Sequence, residues 1–226
     1  MTRETVRRAE GDGGEAEADA PLVLVPERPG FDRYLEDTIV VDWQTPSVIE
    51  QARALVAGRE SERERVEALF AFVRDEIRHS LDAPPGESDV VTCSASHVLR
   101  ERTGLCYAKS HLLAALLRSR GIPAGFGYQR LRAGQPGKAF VLHGFVVAWL
   151  EELERWVALD ARGDTDTIHT RVDVDRPSLA FPTDPAAGEL TFPTIFARPS
   201  RRVVECLDHA QSLARLRNHL PDSLTP

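Results

Sequence analysis

The sequence predicts a domain in which helices come first and a small antiparallel sheet follows. Three observations carry this reading. Apolar residues recur at helical spacing from Val48 to Arg118, short runs rich in aromatic and β-branched residues replace them from Phe126 to Leu159, and the helix stop Gly121-Ile122-Pro123 stands between the two patterns. At 226 residues, with 42% hydrophobic and 28% charged side chains, the chain is long enough to bury one core without covalent staples.

The elements follow in order. The stretch Gly11-Asp12-Gly13-Gly14-Glu15-Ala16-Glu17-Ala18-Asp19 has no aromatic or branched apolar side chain to bury. It cannot offset its ordering entropy, so residues 1–20 are expected to form a disordered acidic tail and residues 21–226 a single domain. Residues Pro21 to Val25 read as a short extended segment closed by Pro26. Ser47 is expected to cap a helix over Val48 to Ala57. Ser61 with Glu64 three residues on has the form of a capping box, ahead of a buried face made by Val66, Leu69, Phe70, Val73 and Ile77. Pro84-Pro85-Gly86 forces an irregular connection, and Ser94 to Arg102 makes a short helix. The run from Leu105 to about Arg120 is a helix headed by Cys106, with Gly121 past its end and Pro123 beyond.

Phe126 to Arg132, Phe140 to Leu150 and Arg155 to Leu159 then form an antiparallel meander, with turns at Gly134-Gln135-Pro136-Gly137 and Glu151-Glu152-Leu153-Glu154. Centring the second hairpin on its acidic turn pairs Leu150 with Arg155 and Trp149 with Trp156. His143 and Asp160 then share one face as diagonal neighbours, roughly 7–8 Å apart by strand geometry. A one-residue slip would separate them. Residues 162–199 are dense in Asp, Pro and Gly and predict a long, mostly irregular wrap, and Val203 to Leu220 a final amphipathic helix.

Composition narrows the function classes. The net charge of −7 argues against a nucleic-acid partner, since phosphate binding needs a basic face. Cys93, Cys106 and Cys206 are too few and too widely spaced for a disulfide framework or a zinc ribbon, so reduced thiols are expected. Arg3, Glu4, Arg7, Arg8 and Glu10 stand where a secretory peptide would be apolar, and no run approaches the ~18 apolar residues that span a bilayer. A cytoplasmic protein without a membrane partner is expected. No oligomeric state follows.

Chemistry is concentrated in three residues. Free N–H groups and the positive dipole end at the head of a helix favour a thiolate at Cys106, the nucleophilic form of the side chain. An imidazole held by a carboxylate on one nitrogen can take a proton from a thiol with the other, so His143 and Asp160 would complete a Cys-His-Asp set with Asp160 as the orienter. Isolated residues of these types are more often a buried thiol, a core histidine and a turn cap. A zinc site of Cys106, His143 and Asp160 is chemically permitted, but paired short-spaced ligands are missing. Lys109, one turn after Cys106, could depress the thiol or meet an anion, although a solvated or snorkelling lysine is the simpler expectation. Structural or surface roles are expected for Cys93, Cys206, His79, His97, His111, His169 and His209. The packing of the Cys106 helix against the hairpin does not follow from spacing.

At these residues the chain resembles the transglutaminase-like superfamily, whose core is related in site geometry to papain-like cysteine proteases. The resemblance rests on Gly104-Leu105-Cys106 opening a helix, Gly121-Ile122-Pro123-Ala124 after it, His143 on one strand and Asp160 at the end of the next. It extends over about residues 61–163. It implies an α+β fold with the cysteine at the N-terminus of a central helix packed on a small antiparallel sheet. It also implies Cys106 as nucleophile, His143 as general base then acid, and Asp160 as orienter. Family members attack an amide or peptide carbonyl, form a thioester and pass the acyl group to an amine or to water, which implies a peptide, protein or small-amide substrate and no cofactor. Where many members have His-Ala-Trp and Asp-Pro-Thr, this chain has His143-Gly144-Phe145 and Asp160-Ala161-Arg162, and Tyr107 stands where crosslinking animal enzymes often have Trp. These departures are similar to bacterial members. An oxyanion hole needs a second donor beside the Cys106 N–H, and Ser94, Ser96 and His97 are the upstream candidates. Hydrolysis is expected over calcium-dependent crosslinking, because Gly163-Asp164-Thr165-Asp166 and Asp173-Val174-Asp175 match EF-type spacing poorly. The alternative is a catalytically silent binding module that keeps the fold.

Overall fold

The computed structural model describes residues 22–84, 89–134 and 139–224. The expected tail at 1–20 lies outside the described residues, as do parts of the two turns, Pro85-Gly86 and Gln135-Pro136-Gly137.

Among the described residues, six helices and two pairs of short strands surround a four-stranded sheet. In chain order the elements are β1 (Val25–Pro26), α1 (Pro46–Val56), α2 (Glu62–Glu76), β2 (Arg78–His79), α3 (Ala95–Glu101), β3 (Thr103–Gly104) and α4 (Cys106–Arg118). They continue with β4 (Ala124–Arg132), β5 (Phe140–Leu150), β6 (Arg155–Leu159), β7 (Leu190–Thr191), β8 (Thr194–Ile195), α5 (Arg201–His209) and α6 (Leu213–Asn218). Helices precede the main sheet, giving the α+β class. The sheet order is β6-β5-β4-β7, all antiparallel.

Local sequence explains most helix ends. The Ser61 hydroxyl accepts from Glu64 N–H and the Glu64 carboxylate accepts from Ser61 N–H, a complete capping box on α2. Ser94 caps α3 by accepting from His97 N–H. α1 begins two residues earlier than expected, because Pro46 fits the first turn, where its missing N–H costs nothing; Thr45, not Ser47, is its N-cap. α4 ends at Arg118, and the chain leaves it through Gly121 at φ +77°, a left-handed conformation that glycine adopts without strain. The single C-terminal helix expected from Val203 to Leu220 is instead two, α5 and α6, broken at Ala210-Gln211-Ser212, with Ser212 capping α6 through Arg215 N–H.

α4 is the centre of the core. Every residue from Tyr107 to Arg118 is buried, and Leu112, Leu113, Leu116 and Leu117 are fully so, each contributing about 1.5–3 kcal/mol by burial. Its single apolar-rich sequence meets helices on one side and the sheet on the other, with α3, α2 and α1 against one face and β5 and β4 against the opposite face. The hairpin register is the one expected from the acidic turn, with Leu150 opposite Arg155 and Trp149 opposite Trp156. The wrap after Asp160 is irregular over most of its length, but it adds β7 to the sheet edge beside β4 and pairs β8 with β1. Among the described residues no helix is long and apolar enough to cross a membrane.

Candidate active site

Cys106 is the first residue of α4, and its N-cap, Leu105, provides no side-chain bond, so the first-turn N–H groups remain available. The thiol is half-buried. β3 immediately precedes it, and the parallel pairing of His79 with Gly104 fixes the approach to the helix.

His143 sits on β5 and Asp160 just beyond β6. The matched register places both side chains on one face, and His143 Nε2 lies 2.8 Å from Asp160 Oδ2. Both residues are buried. Asp160 is held on every side: Oδ2 also accepts from Ala180 N–H at 2.8 Å, and Oδ1 accepts from Arg162 N–H at 3.2 Å. With Nε2 engaged, Nδ1 is the ring nitrogen left for Cys106, whose side chain is the ring's other hydrogen-bond partner. Burial acts most strongly on the His143 ring and disfavours its charge. The opposing influence of Asp160 and Cys106, through charge and hydrogen bonds, prevails and pushes the ring up to about 10. The arrangement therefore favours the protonated imidazole ring.

The contact that spacing left open is made by two α4 side chains. Tyr107 OH donates to the Leu142 carbonyl, and Ser110 Oγ, which also donates to Cys106 O at 2.8 Å, lies 3.3 Å from the Gly144 carbonyl. These carbonyls flank His143, so the helix carrying the thiol is pinned to the strand carrying the imidazole. A side chain at position 144 would not fit: a Cβ there would lie 2.9 Å from the Tyr107 ring.

Lys109 corrects the solvated expectation. It is buried, and Nζ donates to the carbonyls of Arg74, Ile77 and Arg162. Burial, with Arg162 adding, pushes its ammonium down to about 7 against the pull of Asp82, Asp160 and Asp75. It ties the end of α2 to the turn after Asp160, and it does not meet an anion.

Cys106 and His143 open on a cavity of about 350 Å³ whose walls include Leu131, Leu142, Phe181 and Leu220. Phe181, from the wrap, stands edge-on to the His143 ring with centroids 5.0 Å apart. Gln129, paired with His143 across β4 and β5, donates to Phe181 O at 3.0 Å and holds that segment over the site. Neither Ala180 nor Phe181 carries a sequence signal, because both act through backbone and packing. The three upstream oxyanion candidates are elsewhere: Ser94 caps α3, Ser96 hydrogen-bonds Asp42, and His97 lies on α3 against Glu101. His79, expected to be structural, lines the cavity instead.

The remaining thiols differ from Cys106. Burial raises Cys93 to about 11, with Asp208 adding, and Cys206 donates to His219 O. His111 is structural as expected, its Nδ1 2.8 Å from Cys93 O. Among the described residues no group of three or more His, Cys, Asp or Glu is arranged to hold a metal ion. The His143 ring and the Asp160 carboxylate are bonded to each other where a zinc ion would have to stand between them.

No curated protein matches the chain. Among solved structures it is similar to a proposed cysteine protease from Cytophaga hutchinsonii, at 21% identity and TM-score 0.48, over 63% of this chain and 46% of that one. It is also similar to the periplasmic domain of TgpA from Pseudomonas aeruginosa, at 22% identity and TM-score 0.40, over 57% of this chain and 45% of that one. An arylamine N-acetyltransferase from Mycobacterium abscessus aligns at 18% identity and TM-score 0.41, over 58% and 48%. The chain thus spans less than half the length of these relatives. The model of the Transglutaminase-like superfamily matches residues 49–161, from within α1 to the residue after Asp160, and includes both sides of the cysteine, histidine and aspartate arrangement. With that match over half its length, the chain belongs to the transglutaminase-like superfamily, whose members are cysteine-dependent acyltransferases or proteases.

Proposed function

We propose that the protein is a thiol acyl-transfer enzyme that opens a peptide or amide bond through a thioester on Cys106, with water as the usual acceptor. The observation that carries this reading is the chain of contacts from the Cys106 side chain through the His143 ring to Asp160, with Nε2 and Oδ2 2.8 Å apart. The Cys106 thiolate attacks the carbonyl carbon, and the proton held by His143 passes to the leaving nitrogen as the C–N bond breaks. His143 then takes a proton from water as its oxygen adds to the thioester carbon, and the C–S bond breaks to release the acid and return the Cys106 thiolate with the ring protonated. Asp160, fixed by the N–H groups of Ala180 and Arg162, orients the ring and balances its charge without accepting its proton.

The apolar cavity wall favours an acyl group with an apolar side chain. The acidic residues of the wrap favour hydrolysis over calcium-dependent crosslinking, because they are used as turn acceptors: Asp164 takes Thr170 N–H, and Asp173 takes Asp175 and Arg176 N–H. Alkylation by iodoacetamide tests the reading. Cys106 is expected to react faster than Cys93 and Cys206, and this selectivity is expected to vanish in His143→Ala. Equal labelling of the three thiols would indicate the silent binding module. Ammonia release without added amine identifies hydrolysis, and stable uptake of a labelled amine identifies transfer.

A further inference from the structure

We propose that His79 supplies the second donor of the oxyanion hole, through an N–H on Nε2 aimed at the carbonyl oxygen that Cys106 attacks. This rests on the acyl-transfer reading above.

Position comes first. β2 sets His79 opposite Gly104, two residues before Cys106, and the His79 ring lines the cavity shared by Cys106 and His143. Only 7% of the residue is exposed. Its Nδ1 is sealed from solvent and has no hydrogen-bond partner. The nearest carboxylate oxygen, Asp82 Oδ1, is 3.8 Å away, and both Asp82 oxygens are taken by the Arg162 guanidinium at 2.6 and 2.7 Å.

This isolation selects the tautomer. A buried N–H without an acceptor is rare and costly, whereas an under-satisfied acceptor is better tolerated. The proton therefore belongs on Nε2, and because the residue lines the cavity, water or a substrate oxygen there can accept it as a hydrogen bond. Burial, followed by the positive charges of Arg162, Lys109 and His143, holds the ring well below the ordinary imidazole value, so it carries a single proton. Of the other polar groups on the wall, Tyr107 OH donates to Leu142 O and Arg162 is clamped on Asp82, while the Arg132 guanidinium lies over the Phe140 ring.

The electron count is simple. As the sulfur–carbon bond forms, the carbonyl π pair moves onto oxygen, which accepts from Cys106 N–H and His79 Nε2–H without taking either proton. The pair returns as the leaving group departs, and the thioester remains.

Two probes separate this role from any effect on the thiol. Acetylation by 4-nitrophenyl acetate passes through an oxyanion, with 4-nitrophenolate leaving; alkylation by iodoacetamide displaces iodide at saturated carbon and does not. In His79→Phe the acetylation burst is expected to slow by about 10²–10³-fold, the usual cost of one oxyanion donor, with the alkylation rate unchanged. His79→Gln, whose amide nitrogen can reach the place of Nε2, should recover most of the rate. His79→Asn, whose amide reaches only the place of Nδ1, should not, and it gives a second variant if Phe disturbs folding. An undiminished burst in both His79→Phe and His79→Asn, or a parallel loss of both reactions, would overturn the proposal while leaving the nucleophile intact. A wild-type protein that shows no burst at all defeats the acyl-transfer reading itself.

Discussion

The Arg162 guanidinium holds both oxygens of Asp82, at 2.6 and 2.7 Å, and this clamp keeps the carboxylate from closing the 3.8 Å gap to His79 Nδ1. It decides which nitrogen of His79 carries the proton. Arg162→Met frees Asp82 to accept from Nδ1, so His79 is expected to move to the opposite tautomer or gain a second proton. Nitrogen-15 chemical shifts of the ring report this directly, and acetylation of Cys106 should slow with it. Ring shifts identical to wild type would contradict the clamp.

His143 makes a pH prediction with a definite sign. Its ring is pushed up to about 10 in the folded protein from an ordinary value near 6.5, so the folded state holds a proton that the unfolded chain loses. The resulting stabilisation is fully present below about pH 6.5, declines between about 6.5 and 10, and is absent above. Asp160→Asn removes the charge that raises the ring. The urea-unfolding gap between wild type and Asp160→Asn is therefore expected to narrow as pH rises through this window, and a gap that widens refutes the assignment.

Gly144 gives a packing prediction. A Cβ there would stand 2.9 Å from the Tyr107 ring, so Gly144→Ala must displace the side chain that anchors α4 beside His143. Overpacking of this kind costs about 1–3 kcal/mol. Thermal denaturation should register the loss, and a slower acetylation burst should accompany it. Wild-type stability in Gly144→Ala would show that Tyr107 is free to move.

Lys109→Met keeps the stem and removes the donors. Three carbonyls, of Arg74, Ile77 and Arg162, would lose their shared partner, at a cost on the order of 3 kcal/mol. Urea unfolding measures it. A loss below about 0.5 kcal/mol would mean that water replaces the ammonium without penalty.

Much of the scaffold was legible because its signals are local. The Ser61–Glu64 capping box, the Ser94 cap, the helix behind Cys106 and the Trp149–Trp156 register all appear where residues a few positions apart constrain each other. The register in turn made the His143–Asp160 pair readable. Other features were hidden. The early start of α1 follows from Pro46 in its first turn and the break between α5 and α6 from the Ser212 cap, and Lys109 looked like a surface residue because a charged side chain announces nothing about the carbonyls gathered around it.

The sequence by itself determined the order of elements, the hairpin register and the cysteine at a helix head, because these follow from side-chain periodicity, capping and turn geometry. Only the tertiary structure decided that Tyr107 and Ser110 would meet the carbonyls on either side of His143, that residues 180 and 181 would return over the imidazole, and that His79 would face the cavity with one nitrogen unpartnered. These contacts join residues 20 to 38 positions apart. They arise when α4 buries its apolar faces between helices and sheet, and packing of that range leaves no periodic trace in the chain.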